Sequence, residues 1–193
     1  MAELTRVEAL QLIDAAFPRD PIVIMLGTAS REMLQVTGLK ENHLHVLDSM
    51  GLPPAIGLGL ALGLEDSRFD KLVVIEGDGG LLMGFSTLAT IGLLKPGKLL
   101  LIVLDNGTYA ATGGQRTGAS ATDFAAVARA CGYDGRDVEG AAALKDALAE
   151  ACEAPGPRLL RVKIGPENLR TAYFLEDPVV LGRSFMDFLK RGG

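Results

Sequence analysis

Two apolar runs that each end in a short polar turn constrain the fold of this chain most. Residues 72–75 are Leu-Val-Val-Ile, and the turn at residues 77–80 (Gly-Asp-Gly-Gly) follows them after one residue. Residues 99–104 are Leu-Leu-Leu-Ile-Val-Leu, and residues 105–107 (Asp-Asn-Gly) follow them directly. Between the two, residues 81–94 read as a helix that stops at a Lys-Pro-Gly turn. The pattern predicts a strand–helix–strand unit with a glycine-bearing turn at the end of each strand.

The lengths of this unit bring Asp78 and Asn106 to the same edge of a sheet. A helix of about 13 residues rises roughly 20 Å, and a return strand of about 6 residues covers roughly the same distance. A right-handed crossover then places the two strands side by side, and open α/β sheets bind ligands at this carboxyl edge. One carboxylate oxygen and one amide oxygen suit Mg²⁺, and glycines at a helix start let backbone N–H groups approach a phosphate. We therefore expect a magnesium and phosphate site at this edge.

Strand and helix signals alternate along the rest of the chain. We expect strands at residues 22–26, 43–47 and 158–164, and helices at residues 5–17, 31 onward, 55–64, 124–131 and 141–152. This alternation predicts an α/β fold with three layers (α/β/α), in which a mostly parallel, doubly wound sheet carries helices on both faces. We expect residues 1–165 to form one domain and residues 166–193 an appended segment of the same domain, in which residues 173–189 cover a surface.

Composition excludes several classes of protein. With 48% hydrophobic and 22% charged residues, the 193-residue chain can bury a sizeable core. The net charge is −5 and no basic cluster occurs, which argues against nucleic acid as a partner. No apolar run approaches the ~18 residues of a membrane span, and the N-terminus does not resemble a signal peptide. Cys131 and Cys152 lack the spacing of a metal or disulfide motif, so we expect free buried thiols and a cytoplasmic protein.

Two further patterns have structural interpretations. Gly57, Gly59 and Gly63 follow GxGxxxG spacing within a helix, whereas a dinucleotide fingerprint has GxGxxG at a strand–helix turn. We therefore expect these glycines to permit close packing of the helix on the sheet. His43 and His45 share one face of a strand, but no third ligand has matching spacing, so a metal pair is disfavoured.

The Gly-Asp-Gly turn with its spaced asparagine resembles the signature of thiamin-diphosphate enzymes. The resemblance implies that thiamin diphosphate and Mg²⁺ are cofactors and that the fold is the thiamin-diphosphate-binding fold. It also implies that the metal ligands are the side chains of Asp78 and Asn106 and the carbonyl of Thr108. Met50, in Ser-Met-Gly, aligns with the apolar residue that props the bent cofactor, although a core methionine is the alternative. We expect Glu76 to point away from the cofactor and to have no role.

A larger set of motifs narrows the resemblance to the sulfopyruvate and phosphonopyruvate decarboxylase group. GDGGLLM, LDNGTYAATGGQRTGA, SMGLPPAIGLGLALG and GTASRE carry it, and it extends from about residue 27 to about residue 132. Ser30 resembles a hydroxyl that contacts the diphosphate, and an ordinary N-cap serine is the alternative. The residues that the resemblance assigns to cofactor binding are Gly27, Ser30, Ser49, Met50, Gly51, Gly77, Asp78, Gly79, Gly80, Asn106, Thr108 and Tyr109.

The resemblance covers only the diphosphate-binding domain of such enzymes, which in some members is a separate β-type subunit. It implies that a pyrimidine-binding α-type partner supplies the activating glutamate, so this chain holds no catalytic residue. We expect a hetero-oligomer, or a homodimer in isolation, that acts on a small 2-oxoacid. Gln115 and Arg116 are candidates for substrate contact, with a solvated loop as the default. Two alternatives stay open: a non-catalytic regulatory subunit, and the Mg²⁺/phosphate site of another doubly wound protein.

Overall fold

A parallel six-stranded sheet forms the centre of the molecule. The computed structural model describes residues 3–166, 168–173 and 176–192. The strands are β1 (Ile22–Ile24), β2 (His43–His45), β3 (Leu72–Gly77), β4 (Leu99–Asp105), β7 (Asp134–Glu139) and β8 (Arg158–Lys163). All neighbours pair in parallel, in the order β2-β1-β3-β4-β8-β7. A short antiparallel hairpin, β5 (Thr108–Tyr109) with β6 (Gln115–Arg116), lies outside this sheet.

Helices cover both faces of the sheet, which confirms the three-layer α/β/α fold. They are α1 (Arg6–Ala16), α2 (Thr28–Thr37), α3 (Pro53–Gly63), α4 (Asp78–Met83), α5 (Thr87–Leu94), α6 (Phe124–Ala130), α7 (Ala141–Glu153) and α8 (Pro178–Gly192), with a 3₁₀ turn at Gly118–Ala121. Apolar residues of α1 and α7 pack on one face, and those of α3, α5 and α6 on the other. Among the described residues, no helix is both long and apolar enough to span a bilayer.

Strand β4 lies in the middle of the sheet and is buried throughout. All seven of its residues are buried because helices cover the sheet on both sides. Leu100 and Ile102 face the α1 and α7 layer, whereas Leu101 and Val103 face the α3 and α5 layer. The near-continuous apolar run that predicted this strand is thus the consequence of burial on both faces.

Local signals fixed several helix ends as expected. Thr5 and Glu8 form both hydrogen bonds of a capping box at the start of α1. Asp123 caps α6 by accepting a hydrogen bond from Ala126 N. By contrast, α2 begins at Thr28, three residues before the expected Arg31.

The structure differs from the expectation at two other places. The helix expected over residues 81–94 is two helices, α4 and α5, which separate at Gly84. An added Cβ at Gly84 would lie 2.1 Å from the carbonyl oxygen of Gly51, so the chain bends where another backbone passes. Strand β7 was not expected at all, because its sequence Asp-Gly-Arg-Asp-Val-Glu is polar, as an edge strand allows.

Only one glycine of the GxGxxxG pattern packs closely on the sheet. An added Cβ at Gly57 would lie 2.2 Å from Val74 Cγ2, whereas at Gly59 and Gly63 it would meet nothing within 4 Å. The expectation of close packing is confirmed for Gly57 and is wrong for the other two, which face outward.

Helix α8 packs beside the β2 edge of the sheet. Phe185 and Phe188 are buried there against Phe69, and the Phe69 and Phe188 ring centroids are 5.1 Å apart. Part of the expected covering segment, residues 174 and 175, lies outside the described residues. The division into residues 1–165 and an appended 166–193 stays a prediction, which the packing of α8 supports.

Candidate functional site

A cleft of about 290 Å³ opens at the carboxyl ends of β1, β3 and β4. The chain runs from β1 to β2 in one direction and from β3 to β4 in the other, so the cleft lies at the point where the strand order reverses. Of the residues expected to bind cofactor, eight line it: Met50, Gly77, Asp78, Gly79, Gly80, Asn106, Thr108 and Tyr109.

Asp78 is the first residue of α4 and is 2% exposed. Its Oδ2 accepts a hydrogen bond from the hydroxyl of Thr117. Burial raises the pKa of the Asp78 carboxyl above its usual range, the bond from Thr117 opposes this, and the nearby Asp105 carboxylate adds to it. A bound cation would favour the ionised form. The site therefore holds a buried carboxylate, and a cation bound beside it would stabilise its charge.

Asn106 follows β4, the strand that pairs with β3, and shares the cleft wall with Asp78. Its Oδ1 accepts a hydrogen bond from the backbone N–H of Thr108 at 3.0 Å. Because an amide oxygen has two lone pairs, this bond orients the side chain and leaves one lone pair for a metal. The crossover geometry inferred from sequence thus brings the two side chains to one edge.

Asp105 was not recognised as part of the site from sequence. It is fully buried, and its Oδ1 accepts from the N–H of Gly107 at 2.9 Å. Arg161 on β8 contacts the other oxygen, with Nε at 2.8 Å and Nη2 at 2.6 Å. The pair neutralises a charge beside Asp78 and shapes the turn that carries Asn106. Arg161, a basic residue between the apolar Leu160 and Val162, was the available signal.

The two glycines after Asp78 make room for side chains of this chain. An added Cβ would lie 2.3 Å from Tyr109 Cε1 at Gly79 and 2.2 Å from Glu76 Oε1 at Gly80. We expected these glycines to let a phosphate approach, and the structure shows a second reason for them. The first turn of α4 is held between the β5–β6 hairpin on one side and the Glu76 carboxyl on the other.

Glu76 lines the cleft, so the expectation that it points away is wrong. It is 2% exposed, and burial raises the pKa of its carboxyl to about 7, although a hydrogen bond from the N–H of Gly77 lowers it. Sequence gave no signal for its direction, because a strand residue can face either layer.

Met50 is 38% exposed and lines the cleft, which disfavours the alternative of a core methionine. The next residue, Gly51, has φ of +83°, and an added Cβ would lie 2.9 Å from Gly84 N. Only glycine suits this backbone and this approach. Gly51 and Ser49 do not themselves line the cleft; they hold Met50 at its edge.

The first strand contributes different residues from those expected. Ser30 is buried, donates to the carbonyl of Met25 at 2.7 Å and lies 3.2 Å from His45 Nδ1, so its hydroxyl is used within the protein. Gly27 precedes α2 outside the cleft wall. Because α2 begins early, Thr28 and Ala29 line the cleft in their place.

Two other groups of residues considered from the sequence do not line the cleft. Gln115 and Arg116 are exposed on β6, where Gln115 Oε1 accepts from the hydroxyl of Thr112 at 3.1 Å. His43 and His45 are buried on one face, and His43 Nε2 is 3.1 Å from Asp14 Oδ1. Throughout the described part of the chain, no cluster of three or more His, Cys, Asp or Glu could hold a metal. The expected set of ligands at the cleft contains only one carboxylate and is not a cluster of this kind.

Comparison with known proteins decides what kind of cleft this is. Residues 26–162 match the family described as thiamine pyrophosphate enzyme, C-terminal TPP binding domain. The chain belongs to this family. The match begins two residues after β1 and includes β3, β4 and most of the residues that line the cleft.

Relatives of this thiamin diphosphate domain differ in length. Phosphonopyruvate decarboxylase of Streptomyces viridochromogenes is 41% identical over 172 residues, which are 87% of this chain and 42% of that protein. Sulfopyruvate decarboxylase subunit beta of Methanococcus maripaludis is 33% identical over 189 residues, which are 98% of this chain and 100% of that subunit. The chain thus spans less than half of the first relative and all of the second.

Solved structures agree on the fold. A thiamin diphosphate-dependent enzyme isolated from Mycobacterium smegmatis superposes with a TM-score of 0.70 at 26% identity, over 86% of this chain and 33% of that one. Benzoylformate decarboxylase from Polynucleobacter necessarius gives 0.71 at 21% identity, over 83% and 33%.

The cleft residues fit the cofactor of this family, thiamin diphosphate with Mg²⁺. The side chains of Asp78 and Asn106 and the carbonyl of Thr108 offer three hard oxygen donors, the kind that Mg²⁺ prefers. The observation that favours a metal is the buried carboxylate of Asp78, whose charge a cation would stabilise. Met50 and Met83 provide an apolar wall of the kind that ring systems pack against.

Proposed function

We propose that this chain is the diphosphate- and Mg²⁺-binding subunit of a thiamin-diphosphate-dependent 2-oxoacid decarboxylase of the sulfopyruvate or phosphonopyruvate type. The observation that carries the proposal is the cleft with Asp78, Asn106 and Thr108 in a chain that matches the beta-subunit relative over all of that subunit's length. The longer relative has room for a second domain, which this chain would obtain from a partner.

Each side chain then has a defined task. Asp78, Asn106 and the Thr108 carbonyl hold the metal, and Thr117 and Arg161 keep the two turns in place. Met50 supports the bent shape of the cofactor from the apolar wall. The chemistry that thiamin diphosphate supplies when bound is an electron sink for the loss of CO₂ from a 2-oxoacid.

The glutamate that activates the cofactor comes, in this proposal, from an α-type, pyrimidine-binding partner. The beta-subunit naming of the full-length relative supports a complex of this kind. We infer a hetero-oligomer, a homodimer when the chain is isolated, and a cytoplasmic location, which the two free, half-buried cysteines support. Gln115 and Arg116 stay candidates for substrate contact on the exposed hairpin.

Metal-dependent cofactor binding tests the site. Asp78→Ala is expected to abolish Mg²⁺-dependent binding of thiamin diphosphate, because it removes the only charged ligand. Asn106→Ala is expected to weaken binding, since water can partly replace a neutral ligand. Calorimetric titration with and without Mg²⁺ measures both, with the exposed Asp66→Ala as the matched control. Unchanged affinity in Asp78→Ala would refute the site.

Turnover tests the division of labour. The isolated chain is expected to release no CO₂ from sulfopyruvate, phosphonopyruvate or pyruvate, and the chain co-expressed with a pyrimidine-binding subunit is expected to release it from at least one. Robust turnover by the isolated chain would contradict the partner's role. Cofactor binding without turnover in the complex would favour a non-catalytic regulatory subunit.

A further inference from the structure

Glu76 is a buried carboxyl group at the cleft wall with one oxygen unused. It is the penultimate residue of β3 and is 2% exposed. Its Oε1 accepts a hydrogen bond from the N–H of Gly77 at 2.9 Å. Its Oε2 is buried and has no hydrogen-bond partner within the described ranges. A buried acceptor without a partner is unfavourable, so a group that supplies a donor here would stabilise the site.

Three other buried carboxylates in this part of the molecule have partners: Glu32 and Asp105 are each paired with an arginine, and Asp78 accepts a hydrogen bond from Thr117. Arg6 Nε contacts Glu32 Oε2 at 2.6 Å, and Arg161 Nη2 contacts Asp105 Oδ2 at 2.6 Å. Glu76 and Asp78 both line the cleft, but among the described residues Glu76 forms no ion pair, and its Oε2 is the one buried carboxylate oxygen without a hydrogen-bond partner. We therefore expect the partner of Glu76 Oε2 to be a group bound in the cleft.

The surroundings of Glu76 point it toward one end of the cleft. Gly80 lies between it and the turn that carries Met50: the Glu76 carboxyl packs where a Gly80 side chain would be, and the Gly80 carbonyl oxygen lies 3.0 Å from a Cβ added at Gly51. Tyr109 and Thr117 lie on the opposite side, against Gly79. Glu76 thus packs on the side of the Asp78 turn that borders Gly51, the residue after Met50, and not on the side of Tyr109 and Thr117.

The chemistry of the possible ligands further narrows which group can be the partner of Glu76 Oε2. Diphosphate with its metal, and a 2-oxoacid, offer oxygen acceptors and negative charge. The ring half of thiamin diphosphate offers an amino group and a positively charged thiazolium. We propose that Glu76 is a cofactor-binding residue whose Oε2 contacts the ring half of thiamin diphosphate. This role rests on the proposed function and is separate from that of the partner's activating glutamate.

A comparison of two ligands tests this assignment. Binding of thiamin diphosphate and of inorganic diphosphate, each with Mg²⁺, is measured by the rise in melting temperature with ligand concentration. Glu76→Gln, which places an amide donor where an acceptor is needed, is expected to weaken thiamin diphosphate about tenfold, the loss of one charge-assisted hydrogen bond. It is expected to leave inorganic diphosphate unchanged. Glu139→Gln, at the exposed carboxyl end of β7, is the matched control and is expected to change neither.

Each other result has a definite consequence. Equal weakening of both ligands would show that Glu76 only shapes the α4 turn, and no weakening would show that water suffices, so either overturns the inference alone. Failure of the wild-type chain to bind either ligand would overturn the proposed cofactor site as well. Should Glu76→Gln not fold, Glu76→Asp withdraws the carboxyl by one methylene and is expected to give the same discrimination between ligands.

Discussion

Alanine substitutions at Gly57 and Gly59 are expected to change stability in opposite directions. Both residues lie inside α3, two positions apart, but on different sides of it. An added Cβ at Gly57 would lie 2.2 Å from Val74 Cγ2 and 3.5 Å from Leu99 Cδ1, whereas at Gly59 it would meet nothing within 4 Å. Each variant therefore gains the same helix propensity, and only Gly57→Ala adds atoms to the interface between helix and sheet.

The magnitudes follow from these distances. Alanine in place of glycine in a helix interior favours folding by about 1 kcal/mol. Carbon atoms pack at about 3.5–4.0 Å, so Gly57→Ala requires α3 and Val74 to separate by more than 1 Å. Val74 is fully buried in the centre of the sheet and cannot yield freely. Overpacking costs about 1–3 kcal/mol, and an overlap of more than about 1 Å against a buried side chain places Gly57→Ala in the upper half of this range. We therefore expect Gly57→Ala to be destabilising by roughly 1–2 kcal/mol net and Gly59→Ala to be stabilising by roughly 0.5–1 kcal/mol.

Urea unfolding of the wild type and both variants measures the difference directly. Melting temperatures should shift in opposite directions, by about 2–4 °C for each kcal/mol in a domain of this size. Because the start of α3 follows the turn at Met50, Gly57→Ala is also expected to weaken cofactor binding. If both variants gained the same stability, the packing of Gly57 on Val74 would not be as the structure has it.

Three further perturbations have definite outcomes. Met50→Ala should lower turnover of the complex far more than cofactor affinity, and equal loss of both in kinetics and titration would indicate a core methionine instead. Phe185→Ala should remove about 3–5 kcal/mol of packing, so hydrogen exchange should show α8 amides losing protection, and retained protection would contradict the docking. The unfolding free energy should fall as the pH falls from about 6.5 to about 4, because burial lowers the pKa of His43 and of His45 to about 4 and the unfolded chain binds those protons first. Glu76, whose pKa burial raises to about 7, has the opposite effect, but it is one group against two histidines. Urea titrations at several pH values check this, and a flat profile would refute it.

The sheet and the meeting of Asp78 and Asn106 at one of its edges were predictable because they depend on short-range rules. Apolar runs in β3 and β4, each followed by a polar turn, suffice to define two parallel strands and the edge where Asp78 and Asn106 meet. The length of the crossover then places the two strand ends at the same edge, because the helix and the strand span the same distance. The capping box of α1 was readable for the same reason: all its partners lie within one turn.

Other features depend on contacts between distant parts of the chain and left no local signal. The break between α4 and α5 occurs because Gly84 meets the backbone of Gly51. Strand β7 is polar because it lies at the sheet edge, so no hydrophobic pattern marked it. The pair of Asp105 and Arg161 joins β4 to β8, and the direction of Glu76 follows from the register of β3 and the absence of a side chain at Gly80.

The turn that carries Asp78 is fixed from two sides before any ligand binds. Tyr109 and Thr117 pack against it at Gly79, and Glu76 fills the space left at Gly80. Because a side chain at either glycine would displace one of these supports, the turn that carries Asp78 has little freedom to adapt. The apolar wall is different: Met83 is 63% exposed and Met50 is 38% exposed, so this wall is open on one side. The open wall supports the proposal that a second subunit completes the cofactor site.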